Sequence, residues 1–196
     1  MSTSRLEAFS DGVIAVAITL LVLDIAVPGD SHHPLGHNLL HQWPHYAAYV
    51  VSFVTIGIIW INHHVMVGRL READRTILGL NLLLLLTIGV LPFATSLMAE
   101  YVNKSSGQYL AAAVYSGAFL LMSIAFSVMN RHILLTKPDL HGEPLPLEQR
   151  RHILFRSISG LVPYAIATGL AFVSPYITLA ICGALALFYA LPISAG

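Results

Sequence analysis

The sequence predicts an all-α, polytopic membrane protein: six transmembrane helices in a single domain over residues 1–196, with both termini cytoplasmic. Three observations carry this expectation. Hydrophobic residues make up 56% of the chain and charged residues only 10%, against about 25% charged in an ordinary soluble domain; mean hydropathy is +0.74. The apolar residues gather in runs near the roughly 20 that a helix needs to cross about 30 Å of hydrocarbon. The basic residues, finally, fall almost entirely in alternate connections between those runs.

Span one is expected over about Leu6 to Val27. Ser4-Arg5-Leu6-Glu7 reads as a capping box, in which serine and glutamate satisfy two otherwise unpaired backbone N–H groups. Thr19 and Asp24 interrupt the apolar run and no small-x-small cleavage site follows, so the segment is expected to stay in the mature protein. Asp11 follows Phe9 and Ser10 one turn into the span. A carboxylate buried in lipid is expensive, and one near a helix end faces a partner or a wet cavity. Asp11 is either an interfacial acid paired with Arg5 or a neighbouring backbone, or a group that organises a site. Helical spacing also aligns Gly12, Val16, Thr19, Leu20 and Leu23. Such a stripe packs against lipid or another helix, or lines a hydrophobic constriction.

Span two, about Tyr46 to Val67, carries Trp60, Asn62, His63 and His64 near its inner end. Trp60 suits an interfacial anchor, and the three adjacent polar residues point in different directions. Span three, about Thr76 to Met98, offers Asn81, Thr87 and a kinking Pro92; span four follows at about Tyr109 to Met129. The connection from Asn130 to Ser157, cut by Pro138, Pro144 and Pro146, is expected to be irregular with a short helical piece near Glu148 to His152. Spans five (Ile158 to Val173, short unless Ile153 to Phe155 extend it) and six (Tyr176 to Ile193) are separated by Ser174 and Pro175.

Cytoplasmic termini place nine of the ten basic residues inside: Arg5, then Arg69, Arg71 and Arg75, then Arg131, Lys137, Arg150, Arg151 and Arg156, leaving Lys104 outside. The formal net charge of zero removes the electrostatic case for a nucleic-acid partner. The lone Cys182 allows neither an intramolecular disulfide nor a thiolate metal site.

The run Arg5, Phe9-Ser10-Asp11 continuing through Gly12-Val13-Ile14-Ala15-Val16 to Thr19-Leu20-Leu21 resembles the signature helix of the prokaryotic potassium channels related to lysosomal transmembrane protein 175. Trp60-Ile61-Asn62-His63-His64 and Leu91-Pro92-Phe93 are similar to that family's further marks. The resemblance implies a homotetramer in the cell (plasma) membrane, with a central pore lined by the first helix of each subunit. Potassium is then the permeant ion, without a cofactor or a T-V-G-Y-G filter. It implies that Val16, Thr19, Leu20 and Leu23 form the narrow stretch, and that Arg5, Phe9, Ser10 and Asp11 support the inner half of the helix through Trp60, Asn62, His63 and His64. Val16 is smaller than the Ile or Leu common at the family's main constriction, which widens that ring or moves the tightest one to Leu20 or Leu23.

Two other functions compete. Asp11, His63 and His64 suit a proton pathway or proton-coupled carrier. An intramembrane enzyme is disfavoured, because neither H-E-x-x-H nor G-x-S-x-G occurs. His32, His33, His37, His41 and His45 crowd the outer connection, where the four-residue spacing from His33 onward is compatible with metal binding but equally with a solvated loop.

Overall fold

The computed structural model describes residues 3–27, 34–140, 142 and 146–191; His32, His33, Pro144 and Ile193 lie outside them. The regular elements among the described residues are all helical. α1 (Thr3–Leu20) runs into a 3-10 turn, Leu21–Asp24, and a short α2 (Leu35–His41) leads to α3 (Trp43–Gly68). α4 (Arg75–Tyr101) and α5 (Gln108–Arg131) follow, then α6 (Leu147–Ser159), α7 (Leu161–Leu170) and α8 (Pro175–Ala190). Five helical stretches are long and apolar enough to cross a membrane: Thr3–Asp24, Trp43–Gly68, Arg75–Tyr101, Gln108–Thr136 and Leu147–Leu170. α8 is apolar but shorter, at 16 residues.

Local chemistry sets several boundaries. α3 starts with Pro44 in its first turn, where a missing N–H costs nothing. Asp74 caps α4 by accepting the Ile77 N–H at 2.8 Å, and Ser174 caps α8 by accepting the Ile177 N–H at 3.4 Å. The α4–α5 connection turns at Gly107, whose φ of +81° is the left-handed conformation that glycine adopts freely. A Cβ there would sit 2.9 Å from the Tyr101 ring.

α5 forms the centre, packed by α4, α7 and α8. Tyr115, Phe119, Met122 and Met129 are fully buried in it, and Ala111, Ala112, Ser116, Ala118 and Ala125 let neighbouring backbones approach. The hydroxyls that such packing buries find partners. Ser116 donates to the Ala112 carbonyl at 2.7 Å, and Ser52 lies 2.8 Å from Thr95 and 3.2 Å from the Tyr115 hydroxyl.

Three expectations are corrected. Where it is described, the connection after Asn130 is largely helical: α5 continues through a π turn, His132–Thr136, held by buried Ile133 and Leu134, and α6 begins at Leu147. α6 and α7 then form one stretch broken only at Gly160, so the expected short helix and span five are joined. Helix α1 begins at Thr3, which puts Ser4 inside the first turn, and Glu7 turns to another helix instead of closing a capping box. Between α1 and α3 the His37 and His41 rings lie 4.5 Å apart, but His45 belongs to α3 and approaches Glu100 at 4.0 Å. Among the described residues no three His, Cys, Asp or Glu side chains are placed to hold a metal ion.

Candidate functional site

Helix α1 packs on α3 and α4, and its sequence divides it into two faces. Leu6, Ser10, Ile14, Ala17 and Leu21 are buried, at steps of three or four that keep them on one side. The opposite side carries Phe9, Val16, Leu20 and Leu23, which are 56%, 57%, 45% and 75% exposed, together with exposed Gly12 and Thr19. Four apolar residues and one hydroxyl thus form a stripe that its own subunit leaves uncovered. Thr19 donates its hydroxyl to the Val16 carbonyl at 2.9 Å, which satisfies the proton and leaves the oxygen able to accept. Phe9, Gly12, Val13, Val16 and Leu20 also line a shallow apolar groove that reaches Gly89 of α4.

The N-terminal half of α1 is tied to α3 and α4 by three separate links. Ser10 donates to the Leu6 carbonyl at 2.8 Å and accepts from the Asn81 amide at 3.0 Å. The Asn81 carbonyl oxygen lies 2.8 Å from His63 Nε2, so His63 donates there. Its other ring nitrogen is buried without a hydrogen-bond partner among the described residues, and the series ends. Trp60 Nε1 donates to Asp11 Oδ1 at 2.8 Å. His64 Nδ1 meets Glu7 Oε1 at 2.6 Å. Beyond the C-terminal end of α1, Ser96 of α4 donates to Asp24 Oδ1 at 2.6 Å, just past the stripe.

The family sequence model described as "Endosomal/lysosomal potassium channel TMEM175" matches residues 5–92, the stretch that holds all three of these links. A Streptomyces collinus protein named a potassium channel is 44% identical over 188 residues, which are 95% of this chain and 91% of that relative. The chain belongs to the TMEM175 family. Its fold agrees: the crystal structure of a lysosomal potassium-selective channel TMEM175 homolog from Chamaesiphon minutus superposes with a TM-score of 0.85 at 35% identity, over 99% of this chain and 98% of that one. The human TMEM175 relative, named an endosomal/lysosomal proton channel, is 31% identical over 89% of this chain but only 36% of its own length. TMEM175 is a family of channels and not of enzymes.

Among the expected support residues, Ser10, Asp11, Trp60, His63 and His64 meet across helices. Asn62 does not: its amide donates to the Ile58 carbonyl of its own helix at 2.7 Å. Phe9 faces the stripe instead of α3, and Arg5 is exposed and forms no ion pair among the described residues. Asp11 takes Trp60 as its partner, not Arg5, with the indole N–H as the donor. Reading the sequence missed the parts played by Glu7 and Ser96. Glu7 carries a signal in hindsight, since it sits one turn before Asp11 on the same side of α1; Ser96 carries none.

Proposed function

We propose that the protein is a passive potassium channel of the cell membrane: a homotetramer of six-span subunits with cytoplasmic termini, its pore lined by α1. The observation that carries this reading is the uncovered stripe Val16, Thr19, Leu20 and Leu23, set on the helix that also bears the family's signature. A stripe facing lipid gains nothing from Thr19 at its centre. Repeated around a symmetry axis, the same residues give apolar rings with a ring of hydroxyls between them. Such rings restrict ions by diameter and dewetting, and the Thr19 oxygens and nearby dipoles supply the field that favours one cation. The relatives from Streptomyces collinus and Chamaesiphon minutus, named for potassium, support the choice of ion.

The competing reading, a proton pathway through Asp11, His63 and His64, draws on the proton-channel names of the vertebrate relatives. The geometry favours potassium. Asp11 is bonded to Trp60, His63 to Asn81 and His64 to Glu7, so the three titratable groups lie on separate links and form no continuous relay. Bilayer recordings of the purified full chain separate the two. With opposed potassium and sodium solutions at fixed pH, the reversal potential is expected to follow the potassium gradient. A reversal potential that follows only an imposed pH gradient would overturn the reading.

A further inference from the structure

Helix α6 has no buried residue, although it leads directly into α7. Its exposed side is a mixed one. Leu147, Arg151, Phe155 and Ile158 lie close to one line along the helix and all are exposed, Phe155 at 74%. Arg151 forms no ion pair among the described residues, and the single acid of the helix, Glu148, lies one turn away in the first turn. Arg150 and Arg156 add to the positive charge of the same 13 residues.

The depth of this side can be reckoned from the other end of the span. α7 gives way to Ser174, the cap of α8, and about 20 residues cover the roughly 30 Å of hydrocarbon. Counting back from Ser174 puts the inner boundary near Leu154 and Phe155. Arg151 then lies about 5 Å beyond that boundary, among the lipid headgroups, with Phe155 and Ile158 below it at acyl-chain depth. An arginine fork one turn above an exposed aromatic matches a phosphate joined to acyl chains.

We propose that the exposed side of α6 is a binding site for an anionic phospholipid of the inner leaflet, with Arg151 holding the phosphate and Phe155 and Ile158 packing on the chains. The site rests on Leu147–Leu170 being a membrane span and on the proposed cytoplasmic termini, which put Leu147 at the inner face; it is independent of which ion the protein conducts.

The test uses the purified full chain in a neutral detergent, titrated with dioleoyl phosphatidylglycerol and followed by native mass spectrometry. Wild-type protein is expected to bind phosphatidylglycerol in preference to phosphatidylcholine. Arg151→Gln should bind it about fivefold more weakly, the effect of one basic residue at the membrane surface. Arg151→Lys, which keeps the charge, should stay closer to wild type than Arg151→Gln does. Equal binding by wild type and Arg151→Gln overturns the proposal, as does equal binding of the two lipids. Displacement of phosphatidylglycerol by an equal concentration of soluble glycerol phosphate assigns the site to a free anion and overturns it as well. Potassium flux from liposomes is measured on the same wild-type preparation. A preparation that binds the lipid but passes no potassium refutes the channel reading and leaves the lipid site standing.

Discussion

Replacing Asn81 by alanine removes the group that joins the N-terminal half of α1 to α3 and α4. Asn81 is fully buried, and its amide and carbonyl serve different helices: Ser10 on α1 at 3.0 Å and His63 on α3 at 2.8 Å. The two losses are unequal. Ser10 keeps its bond to the Leu6 carbonyl, so its hydroxyl proton stays satisfied. His63 Nε2 loses the acceptor it faces, and a buried unpaired donor costs about 1–3 kcal/mol. Hydrogen bonds between membrane helices average about 0.6 kcal/mol and reach about 1.7, because the separated helices also find partners. The loss for Asn81→Ala is therefore set at about 1–2 kcal/mol. Asn62→Ala is the matched control, since that exposed amide serves only its own helix, and its loss should stay below about 0.5 kcal/mol. Thermal unfolding in a fixed detergent measures both, with the double variant His63→Ala/Asn81→Ala completing a cycle. If Asn62→Ala destabilises as much as Asn81→Ala, or if the effects at Asn81 and His63 simply add, the three-helix junction does not hold α1 in place.

Three further outcomes are expected. Leu23→Ala should raise single-channel conductance severalfold or weaken the preference for potassium over sodium; unchanged current and ion preference in a normally assembled variant would remove Leu23 from the constriction. Gly107→Ala should cost about 1–2 kcal/mol in thermal unfolding, because a left-handed residue gains a Cβ 2.9 Å from the Tyr101 ring; wild-type stability would contradict the strained turn. The Ile77 N–H, aided by the charge of His132, holds the Asp74 carboxyl below its ordinary value of 3.8. A depressed carboxyl stabilises the fold above 3.8, and that contribution is lost as pH falls through the folded-state value. Asp74→Ala should therefore lose about 1 kcal/mol near neutral pH, and its deficit against wild type should shrink in acid. A deficit that does not change with pH would mean that the cap does not act through its charge.

Much of the fold was legible because the bilayer imposes one strong requirement, the length of an apolar run. Thr76 to Met98 anticipated α4 (Arg75–Tyr101) within a turn at each end, and Tyr109 to Met129 anticipated α5 (Gln108–Arg131) as closely. The orientation of each helix about its axis was far less legible. In water an apolar stripe marks the core, but in lipid both sides of a helix are apolar, so periodicity did not separate Ile14, which is buried, from Val16, which is exposed. Polar residues inside the spans were the better guide. Ser10, Asp11, Trp60, His63 and His64 all found partners on other helices, because an unsatisfied polar group in lipid is costly. Glu7 was misread because a local pattern, S-x-x-E, explained it without the third dimension. The join of α6 to α7 was legible only as an optional extension of span five back to Ile153, because the charges of α6 dilute its hydropathy.

The links along α1 are distributed in a way that constrains how the helix can move. Ser10, Asp11 and Glu7 fasten one end, Asp24 fastens the other through Ser96, and the apolar length between them is held by packing alone. A rod clamped at both ends resists twisting, since any rotation about its long axis shears both clamps at once. The cheaper displacement is to lean, carrying α3 and α4 along as a single panel, so a stimulus acting on the far ends of those two helices has mechanical leverage on the stripe without touching it.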